Sequence, residues 1–543
     1  MKRFTILVLA LVMLMTAAPS LAQSDPLAPM ETPITLKVVA DYSSPSHESL
    51  HGETPETFFG NDMLKNYLGI TLDWMWVVPA DQVQQKLQLS LASGYLPDVL
   101  MLGVDNEPMY LQLLEADMLR DLTDAWEEWG LQAIKDGHEL LDNRAFDEIA
   151  IDGRIYAIPS NDDTLLSTQL IYYRKDWADT LGITQPTNRQ ELLDMAYAFA
   201  EGYPDKFPIG AYNNPLAGNS LNWVFECFGA YPKSWLKKDG VLEYGAIQPE
   251  MLDALIALSN LYKSGAIDKE FATKVSAQNT ENVVGSRVGI MGHWWYYGLS
   301  SPYLNKTADL EAEWACLPIL DENGMGYAVN PVKLTNAYCL VLKSAPVGAE
   351  EALVKMININ YDWHFGMTEE MQMEAYPEIA ANPENVNLFT WFPAYVTPPS
   401  MYREQWYNVN AALESGDPSK LIIPENVTLY EEVLKLPTLD RADEEYPMAW
   451  GWWFSRAAKD SGIGMAIQMA DAGHIIQSEF YGAATPTEQD RFASLDSMLT
   501  EYVSRFIMGE VDETSWQEFV NNWQALGGSD WTSEVNEQWK ALQ

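Results

Sequence analysis

The chain has 543 residues and is strongly acidic, with 77 aspartate and glutamate residues against 33 lysine and arginine residues and a formal net charge of −44. A field this negative repels phosphate backbones and anionic lipid surfaces, which excludes nucleic acid as a natural partner. Because 47% of the residues are hydrophobic and 12% are aromatic, the chain can bury an ordinary core, and its length is typical of two or three domains.

The first residues have the pattern of a secretory signal peptide. Two basic residues precede an apolar run over 6–15 that is too short to span a bilayer, and small residues at Ser20 and Ala22 fit a cleavage site. We therefore expect cleavage after Ala22 and an exported protein, either periplasmic or extracellular at the cell envelope. Because the first cysteine is Cys227, we expect no lipoprotein cysteine at the mature N-terminus.

Strand and helix patterns alternate after a proline-rich tether over 23–33. Val83, Leu87 and Leu91 recur at helical spacing, and Gly94 ends the pattern. Strands separated by helices predict an α/β lobe whose mostly parallel sheet has helices on both faces. The expected elements of this first lobe are strands at 34–40, 71–77 and 96–102 and helices at 62–67, 81–93, 109–119 and 123–129.

A second series begins after residues 151–159, where Asp152 and Gly153 lie between two apolar arms and predict a β-hairpin. Thr187 or Asn188 is the expected N-cap of a long helix, with Glu191 completing a capping box. The expected elements are strands at 170–173, 288–294 and 337–342 and helices at 176–181, 188–200, 251–263 and 349–359.

Aromatic residues are concentrated in three segments. Residues 285–297 combine a short apolar strand with four consecutive rings that start at Trp294 and Trp295, and such rings either form a stacking platform for a ligand or fill a core. Gly292 is expected to permit a sharp exit from the strand. Two further clusters, over 389–406 and 449–454, contribute Trp391 and Trp453 as candidate ligand contacts or as core residues.

The three cysteines allow at most one disulfide. Cys316 could pair with Cys339, or all three could be buried thiols. His47 and His51 have helical i,i+4 spacing but lie in a Ser/Pro-rich segment without a third ligand, so no zinc site is expected. Residues 321–324 lack the full ligand pattern of a calcium loop. We expect neither a metal ion nor a cofactor.

Five segments between residues 93 and 519 resemble, in order, motifs of the extracellular solute-binding proteins of ABC importers. The resemblance is to the carbohydrate-binding group that includes the maltose-binding proteins and their lipoprotein-like relatives. The segments are SGYLPDV at 93–99, IDGRIYAIP at 151–159, YYRKDWADTLGITQPT at 172–187, GIMGHWW at 289–295 and RFIMGEVDETSWQEF at 505–519. The chain departs from this pattern because it lacks the lipoprotein cysteine that is common in Gram-positive members. It is also longer than the family's smaller members, and the extra length is expected over residues 360–450.

The resemblance implies an α/β, two-lobed periplasmic-binding-protein fold of type II, with a ligand cleft between the lobes. Each lobe is then expected to be a mixed, mostly parallel sheet flanked by helices. The expected crossings lie near Pro159, near 318–321 and between 417 and 424. The expected division is a signal peptide at 1–22, a tether at 23–33, a first lobe of 34–159 with 320–420, and a second lobe of 160–319 with 421–543.

The same resemblance suggests which side chains would contact a ligand. It places a stacking tryptophan at Trp294 and hydroxyl-binding groups at Asp105 and Asn106, although Asp105 could instead cap a helix. The remaining candidates are Trp295 beside Trp294, Asp162 and Asp163 at the first crossing, where they could also only end a turn, and Asn219 and Trp223.

These observations predict a monomeric, non-enzymatic solute-binding protein that delivers a carbohydrate, preferably an oligosaccharide, to the membrane permease of an ABC transporter. One alternative is the same fold binding a peptide or another small solute. A second alternative is an exported glycoside hydrolase, which also combines aromatic rings with two carboxylates. With 77 acidic residues, the presence of two carboxylates does not distinguish these alternatives.

Overall fold

The computed structural model shows two lobes, each with its own hydrophobic core. The first core is built by residues between Met30 and Ile158 and between Tyr338 and Val396, and the second mainly by residues between Leu165 and Ala328 and between Trp450 and Trp539. The residues that the structure describes are 25–42, 57–79, 82–103, 106–139, 144–147, 149–151, 153–161, 165, 167–330, 335–367, 369–377, 392–480 and 484–541.

Five strands form the sheets of the first lobe. Two of them pair in parallel, and in the other sheet the last strand in sequence lies between two earlier strands. The pairs are β1 (Ile34–Tyr42) with β2 (Ile70–Pro79), and β11 (Thr335–Val341) with both β3 (Val99–Gly103) and β4 (Ile158–Asn161).

The second lobe is organised around a three-stranded antiparallel sheet whose central strand is fully buried. Its strands are β5 (Gln169–Arg174) between β8 (Ile290–Trp294) and β9 (Trp314–Leu317). A hairpin and a short parallel pair complete the lobe, formed by β6 (Trp235–Lys238) with β7 (Val241–Tyr244) and by β10 (Ala328–Asn330) with β12 (Ile475–Gln477).

Helices cover the sheets of both lobes. Those that precede the second lobe are α1 (Phe59–Met63), α2 (Val83–Ser93), α3 (Glu107–Glu115), α4 (Thr123–Trp129), α5 (Gln132–Glu139) and α6 (Arg144–Asp147). Those between β5 and β9 are α7 (Lys175–Leu181), α8 (Arg189–Gly202), α9 (Asn222–Cys227), α10 (Glu250–Ser264), α11 (Ser276–Val284) and α12 (Ser301–Ala308). Those after β11 are α13 (Ala349–Tyr361), α14 (Glu369–Ala375), α15 (Met401–Ser415), α16 (Pro424–Lys435), α17 (Tyr446–Trp452), α18 (Gly462–Asp471), α19 (Pro486–Met508), α20 (Trp516–Trp523) and α21 (Ser529–Ala541).

The mixed α/β, two-lobed fold is confirmed, but the expectation of mostly parallel strands is wrong. Among the strand pairs in the described part of the chain, only β1 with β2 and β10 with β12 are parallel. The reason is the order of the strands: β11 returns to the first lobe and runs between β3 and β4 in the opposite direction. In the second lobe β8 and β9 likewise run against β5.

Local signals fixed the ends of several helices. Gly94 ends α2 in the left-handed conformation, with φ of 69°, which favours glycine. Asn188 is the N-cap of α8, because its side-chain oxygen accepts a hydrogen bond from the backbone N–H of Glu191 at 3.0 Å. By contrast, the expected hairpin at 151–159 is reduced to one bridge between Ile151 and Arg154, and its second arm continues into β4.

Three connecting segments meet at Asn161, the last residue of β4. Asn161 pairs with Thr335 at the start of β11, and its carbonyl oxygen accepts a hydrogen bond of 2.6 Å from the Thr397 hydroxyl. Its side-chain amide donates to Nδ1 of His138 in α5 at 3.0 Å, and burial lowers the pKa of His138 to about 4, which keeps the ring neutral. The end of β4, the start of β11 and the segment at Thr397 are therefore tied together at one point of the first lobe.

The packing bears on where the chain passes between the lobes. Leu320 and Ala328 belong to the second core, and Val396 belongs to the first. Tyr402 of α15 packs against the second core. This packing favours passages between Asn330 and Thr335 and just after Val396 over the expected ones near 320 and 420, and the division between the lobes stays a proposal.

The three cysteines are free and buried. Cys227 lies in α9, Cys316 in β9 and Cys339 in β11, so the two that might have formed a disulfide lie in different lobes. Burial raises the pKa of each thiol to about 12. In the described part of the chain, none of the helices combines the length and hydropathy needed to cross a membrane.

Candidate functional site

A cavity of about 220 Å³ lies beside Trp294 in the second lobe. Ser167, which lies between β4 and β5, and Val329, in β10, both line it. The cavity therefore adjoins the segment that leads from β4 into β5. The remaining lining residues are Gln169, Leu216, Ala217, Gly218, Asn222, Glu226, Pro232, Lys233, Ser234 and Trp294.

The β5 and β8 strands bring an amide and an indole to the same wall of the cavity. Gln169 is the first residue of β5 and pairs directly with Trp294, the last residue of β8. Directly paired residues in an antiparallel sheet project to the same face, with their Cβ atoms about 5 Å apart. The end of the sheet therefore presents a hydrogen-bonding group next to a flat apolar ring.

The backbone around Trp294 is fixed by hydrogen bonds from the strand. The buried Tyr172 hydroxyl donates to the carbonyl oxygens of Trp294 and Trp295, at 3.0 and 3.1 Å. The Trp294 N–H donates to Nδ1 of His293 at 2.9 Å. The Trp294 side chain is half-buried and its ring is nearly parallel to that of Tyr296, with centroids 5.9 Å apart. Trp294 is thus held in place while part of its ring remains accessible.

Helix α9 contributes a polar pair to the lining of the same cavity. Asn222 and Glu226 are four residues apart, so they lie on one face of the helix. The Asn222 side-chain amide donates to Oε1 of Gln169 and to Oε1 of Glu226, both at 3.0 Å. The backbone N–H of Val329 also donates to Oε1 of Glu226, at 3.4 Å. This network joins a sheet, a helix and a connecting strand around the cavity.

Glu226 is the buried ionisable group of this network. The residue is 1% exposed, and its second oxygen, Oε2, has no hydrogen-bond partner in the described part of the chain. Burial raises the pKa of Glu226 well above its usual range, and the hydrogen bonds from Val329 and Asn222 only partly oppose this shift. Lys233, which also lines the cavity, forms an ion pair of 3.0 Å with Asp496.

The loop before α9 closes the cavity because Gly218 has no side chain. A Cβ atom at Gly218 would lie 2.5 Å from Nε2 of Gln169 and 3.1 Å from the Trp294 ring. The neighbouring Asn219 holds this loop in place: its side-chain oxygen accepts from the Tyr212 hydroxyl at 2.5 Å, and its amide donates to the Ser276 hydroxyl at 3.2 Å. Asn219 therefore acts on the loop and does not itself line the cavity.

Two of the expected tryptophans lie in the interior of the second lobe. Trp295 and Trp223 are each 1% exposed. Trp295 packs against Tyr402, with ring centroids 4.6 Å apart. Trp223 packs on β8 at Gly292, where a Cβ atom would collide with the Trp223 ring. Gly292 thus makes room for a ring within the strand and does not mark the strand's exit. Neither indole presents a face on which a ligand could stack.

Of the other expected residues, the described Trp453 and Asn106 do not line this cavity. Trp453 is 37% exposed and starts the π-helical turn after α17. Asn106 is half-buried at the N-cap of α3, beyond the end of β3, and its side chain makes no capping hydrogen bond. Four expected residues lie outside the part of the chain that the structure describes, namely Asp105, Asp162, Asp163 and Trp391.

Gln169, Asn222 and Glu226 were not among the expected residues. The spacing of Asn222 and Glu226 is visible in the sequence, but isolated polar residues at helical spacing usually face solvent. The apolar Val224 and Phe225 between them, followed by Cys227, could have indicated a short helix that is buried on all sides. The pairing of Gln169 with Trp294 depends on the register of strands more than a hundred residues apart.

A larger, more open cavity of about 730 Å³ lies elsewhere on the second lobe, between α8 and α10. Arg189 on its rim donates to the carbonyl oxygen of Cys227 at 2.9 Å and lies over the Phe228 ring. At 321–324, Oδ1 of Asp321 accepts from the N–H groups of Asn323 and Gly324. Among the described residues there is no group of three or more side chains suited to hold a metal ion.

Comparison with known proteins gives a family match over half of the chain. The family model described as bacterial extracellular solute-binding protein matches residues 50–337. The lipoprotein LipO of Bacillus subtilis is 20% identical over 520 residues, which are 93% of this chain and 92% of that protein. The polygalacturonan/rhamnogalacturonan-binding protein YtcQ of the same organism is 25% identical over 228 residues, 40% of this chain and 43% of that one.

Among solved structures, this chain resembles the ABC-transporter substrate-binding protein FusA of Streptococcus pneumoniae in complex with kestose. The TM-score is 0.60 at 14% sequence identity, and the match covers 94% of this chain and 99% of that one. At this identity the likeness concerns the fold, which is that of a two-lobed binding protein.

Proposed function

Since the chain belongs to the bacterial extracellular solute-binding proteins, we propose that it captures an oligosaccharide between its two lobes and delivers it to the membrane permease of an ABC transporter. The observation that carries this proposal is the accessible Trp294 ring beside the polar network of Gln169, Asn222 and Glu226. The protein acts in this proposal as a binding protein and not as an enzyme.

The chemistry of the cavity suits a sugar. A pyranose ring has an apolar face of C–H groups, which stacks on a flat aromatic ring, and hydroxyl groups at its edge, which both donate and accept hydrogen bonds. Trp294 supplies the aromatic ring, and Gln169 and Asn222 supply amides that can do both. A hydrophobic peptide side chain would leave these amides with fewer partners.

The relatives support a carbohydrate, although they differ in which one they bind. YtcQ is named for polygalacturonan and rhamnogalacturonan, and the structure of FusA holds kestose. Both names refer to chains of sugar units. An oligosaccharide would be long enough to extend from the 220 Å³ cavity along the cleft towards further contacts.

We assign those further contacts to the expected residues that lie away from the cavity. Asp105, Asn106, Asp162 and Asp163 would contact the sugar from the first lobe and the first crossing. The exposed Trp453 and the Trp391 segment would offer additional stacking surfaces. Trp223 and Trp295 would support the site by packing in the core beneath it, because they are buried. Asn219 would support it by holding the loop before α9.

Capture requires the lobes to close on the ligand. A ligand that contacts both lobes stabilises the closed arrangement through its greater affinity for it. The permease would then distinguish loaded from empty protein by its shape. We further propose that the protein works as a monomer outside the cytoplasmic membrane, after cleavage following Ala22.

The test is a thermal-shift screen of the protein without residues 1–22. The panel contains fructo-, malto-, cello-, xylo- and galacturono-oligosaccharides with their monosaccharides, and peptides and amino acids as controls. A ligand of the native state at a hundredfold excess over its dissociation constant adds about 2.7 kcal/mol of stability. A shift with one class of glycan, without products on chromatography, supports the proposal. A shift in melting temperature with peptides alone would indicate that the ligand is a peptide and not a sugar. Release of smaller sugars would indicate a hydrolase.

A further inference from the structure

Glu226 is a buried carboxyl group at the wall of the cavity whose two oxygens have different surroundings. Oε1 accepts hydrogen bonds from Asn222 and from the backbone of Val329, whereas Oε2 has no partner in the described part of the chain. Buried polar atoms are normally paired, and an unpaired one costs about 1–3 kcal/mol. Glu226 also lines the cavity, so a molecule bound there is the partner that we consider for Oε2.

The surroundings of Glu226 favour the protonated acid over the carboxylate. The contacts on Oε1 come from two uncharged donors, an amide and a backbone N–H. The neighbouring ionisable groups on the same segment are Cys227 and Tyr231, and burial raises the pKa of both, so they are uncharged near neutral pH. Lys233 is engaged with Asp496.

In the described part of the chain, the remaining elements that pack against α9 do not supply a counter-ion either. The titratable side chain of β8 is His293, whose pKa burial lowers to about 3, so that it is uncharged. From β5 the group that approaches is the Gln169 amide, and from β10 it is the backbone of Val329. Asp253 of α10 and Arg189 of α8 line the larger cavity of about 730 Å³, which Cys227 also lines. Among the described residues, no lysine, arginine or histidine forms an ion pair with Glu226.

We propose that Glu226 is a ligand-contacting residue that presents a carboxylic acid hydrogen on Oε2 to an oxygen atom of the bound sugar. This inference rests on the proposed carbohydrate-binding function and specifies it. A neutral acid in this position donates its hydrogen without leaving a charge in the cavity, while Oε1 stays bonded to Asn222 and Val329. The sugar oxygen that meets Oε2 must therefore accept a hydrogen bond.

The test compares two substitutions that separate the acid from the carboxylate. Glu226→Gln keeps an oxygen for Asn222 and Val329 and places an N–H donor where the acid hydrogen would be. Glu226→Leu has a similar size but no polar atom. The probes are kestose, maltotriose, cellotriose and trigalacturonate, with affinity measured by calorimetry at pH 6.5. Glu281→Gln, at an exposed glutamate of α11, is the matched control.

For every probe that the wild type binds, we expect Glu226→Gln to keep the affinity within about threefold, and Glu226→Leu to lose about tenfold, as for one buried hydrogen bond. If Glu226→Gln loses as much affinity as Glu226→Leu, the ligand needs a carboxylate and the proposal is wrong. If Glu226→Leu binds the sugar as tightly as the wild type does, Glu226 does not contact the sugar, although the proposed function stands. If the wild type binds none of the four probes, the result counts against both the proposed function and this contact.

A measurement without ligand tests whether Glu226 is protonated, and it needs only the wild type and Glu226→Gln. In the unfolded chain a glutamate has a pKa of about 4.3, and in the folded protein burial raises it, so the folded state retains the proton as the pH rises. The wild type should therefore lose stability relative to Glu226→Gln above about pH 4.3. The ratio of their unfolding constants should change by up to tenfold per pH unit until the folded pKa is reached. Parallel stability curves for the two proteins would overturn the assignment.

Discussion

At the scale of single residues, two adjacent tryptophans have opposite surroundings. Trp294 ends β8 and keeps part of its ring accessible in the cavity, whereas Trp295 begins the next turn and is packed under Tyr402. The backbone of both is held by the same Tyr172 hydroxyl. This pair therefore places a partly accessible ring directly beside a core ring within one short segment.

Substitution of these two residues should have different consequences. We expect Trp294→Ala to weaken binding of a sugar from the thermal-shift panel by about 1–3 kcal/mol, because it removes a stacking surface in a largely desolvated site. Trp295→Ala should instead lower the free energy of unfolding by about 3–5 kcal/mol, since it leaves a large cavity in the core. Calorimetry and urea denaturation measure the two effects. A loss of stability with normal affinity for Trp294→Ala would show that its ring is only a packing residue.

The thiols provide a second test at the residue scale. Burial raises the pKa of Cys227, Cys316 and Cys339 to about 12, so each is protonated and shielded at pH 8. We expect a chromogenic disulfide reagent to modify no thiol in the folded protein and all three in urea. Titration of only one thiol in urea would reveal a disulfide and contradict the structure. The pairing of Cys316 with Cys339 was left open by the sequence, because spacing alone does not tell which lobe a strand joins.

At the scale of elements, the cavity depends on a close approach between a loop and a sheet. Helix boundaries followed from local residues, such as Gly94 and Asn188, because capping and left-handed turns act within a few residues. The register that places Gln169 opposite Trp294 is a long-range property and had no such signal. Likewise, the order of strands in each sheet could not be read from the alternation of strands and helices, which led to the incorrect expectation of parallel sheets.

The loop over the cavity should tolerate no side chain at Gly218. We expect Gly218→Ala to reduce affinity for the sugar by about 1–3 kcal/mol, since the added methyl group would displace Gln169 or the Trp294 ring. The melting temperature of the unliganded protein should fall only slightly, because Gly218 itself is partly exposed and the added methyl group meets the Gln169 side chain and the half-buried Trp294 ring. Equal affinity of this variant and the wild type would mean that the ligand does not use this cavity.

At the scale of the whole molecule, both the family and the fold could be recognised from five short motifs. Of the residues expected to contact a ligand, Trp294 lines the cavity, whereas Trp223 and Trp295 are buried, and the ligand contacts themselves stay a prediction. Aromatic residues serve cores and binding sites equally well, so their number in the sequence does not reveal their exposure. The meeting of three segments at Asn161 likewise emerges only from the tertiary structure.

Closure of the lobes should be visible in solution scattering. We expect a saturating sugar identified in the screen to reduce the radius of gyration, because a ligand between the lobes favours their closed arrangement. Trp294→Ala at the same sugar concentration is the control and should remain closer to the unliganded radius. A radius that stays constant while calorimetry shows binding would argue against closure as the means of capture.

The position of β11 in the first sheet has a consequence for biosynthesis. This strand lies between β3 and β4, yet it is made only after most of the second lobe, at residues Thr335–Val341. A nascent chain that ends before it has no central strand with which to close the first sheet, and contacts so distant in sequence form slowly. The leading part of the chain therefore remains incompletely folded during synthesis, which is the condition in which a polypeptide can still be threaded through a secretion channel.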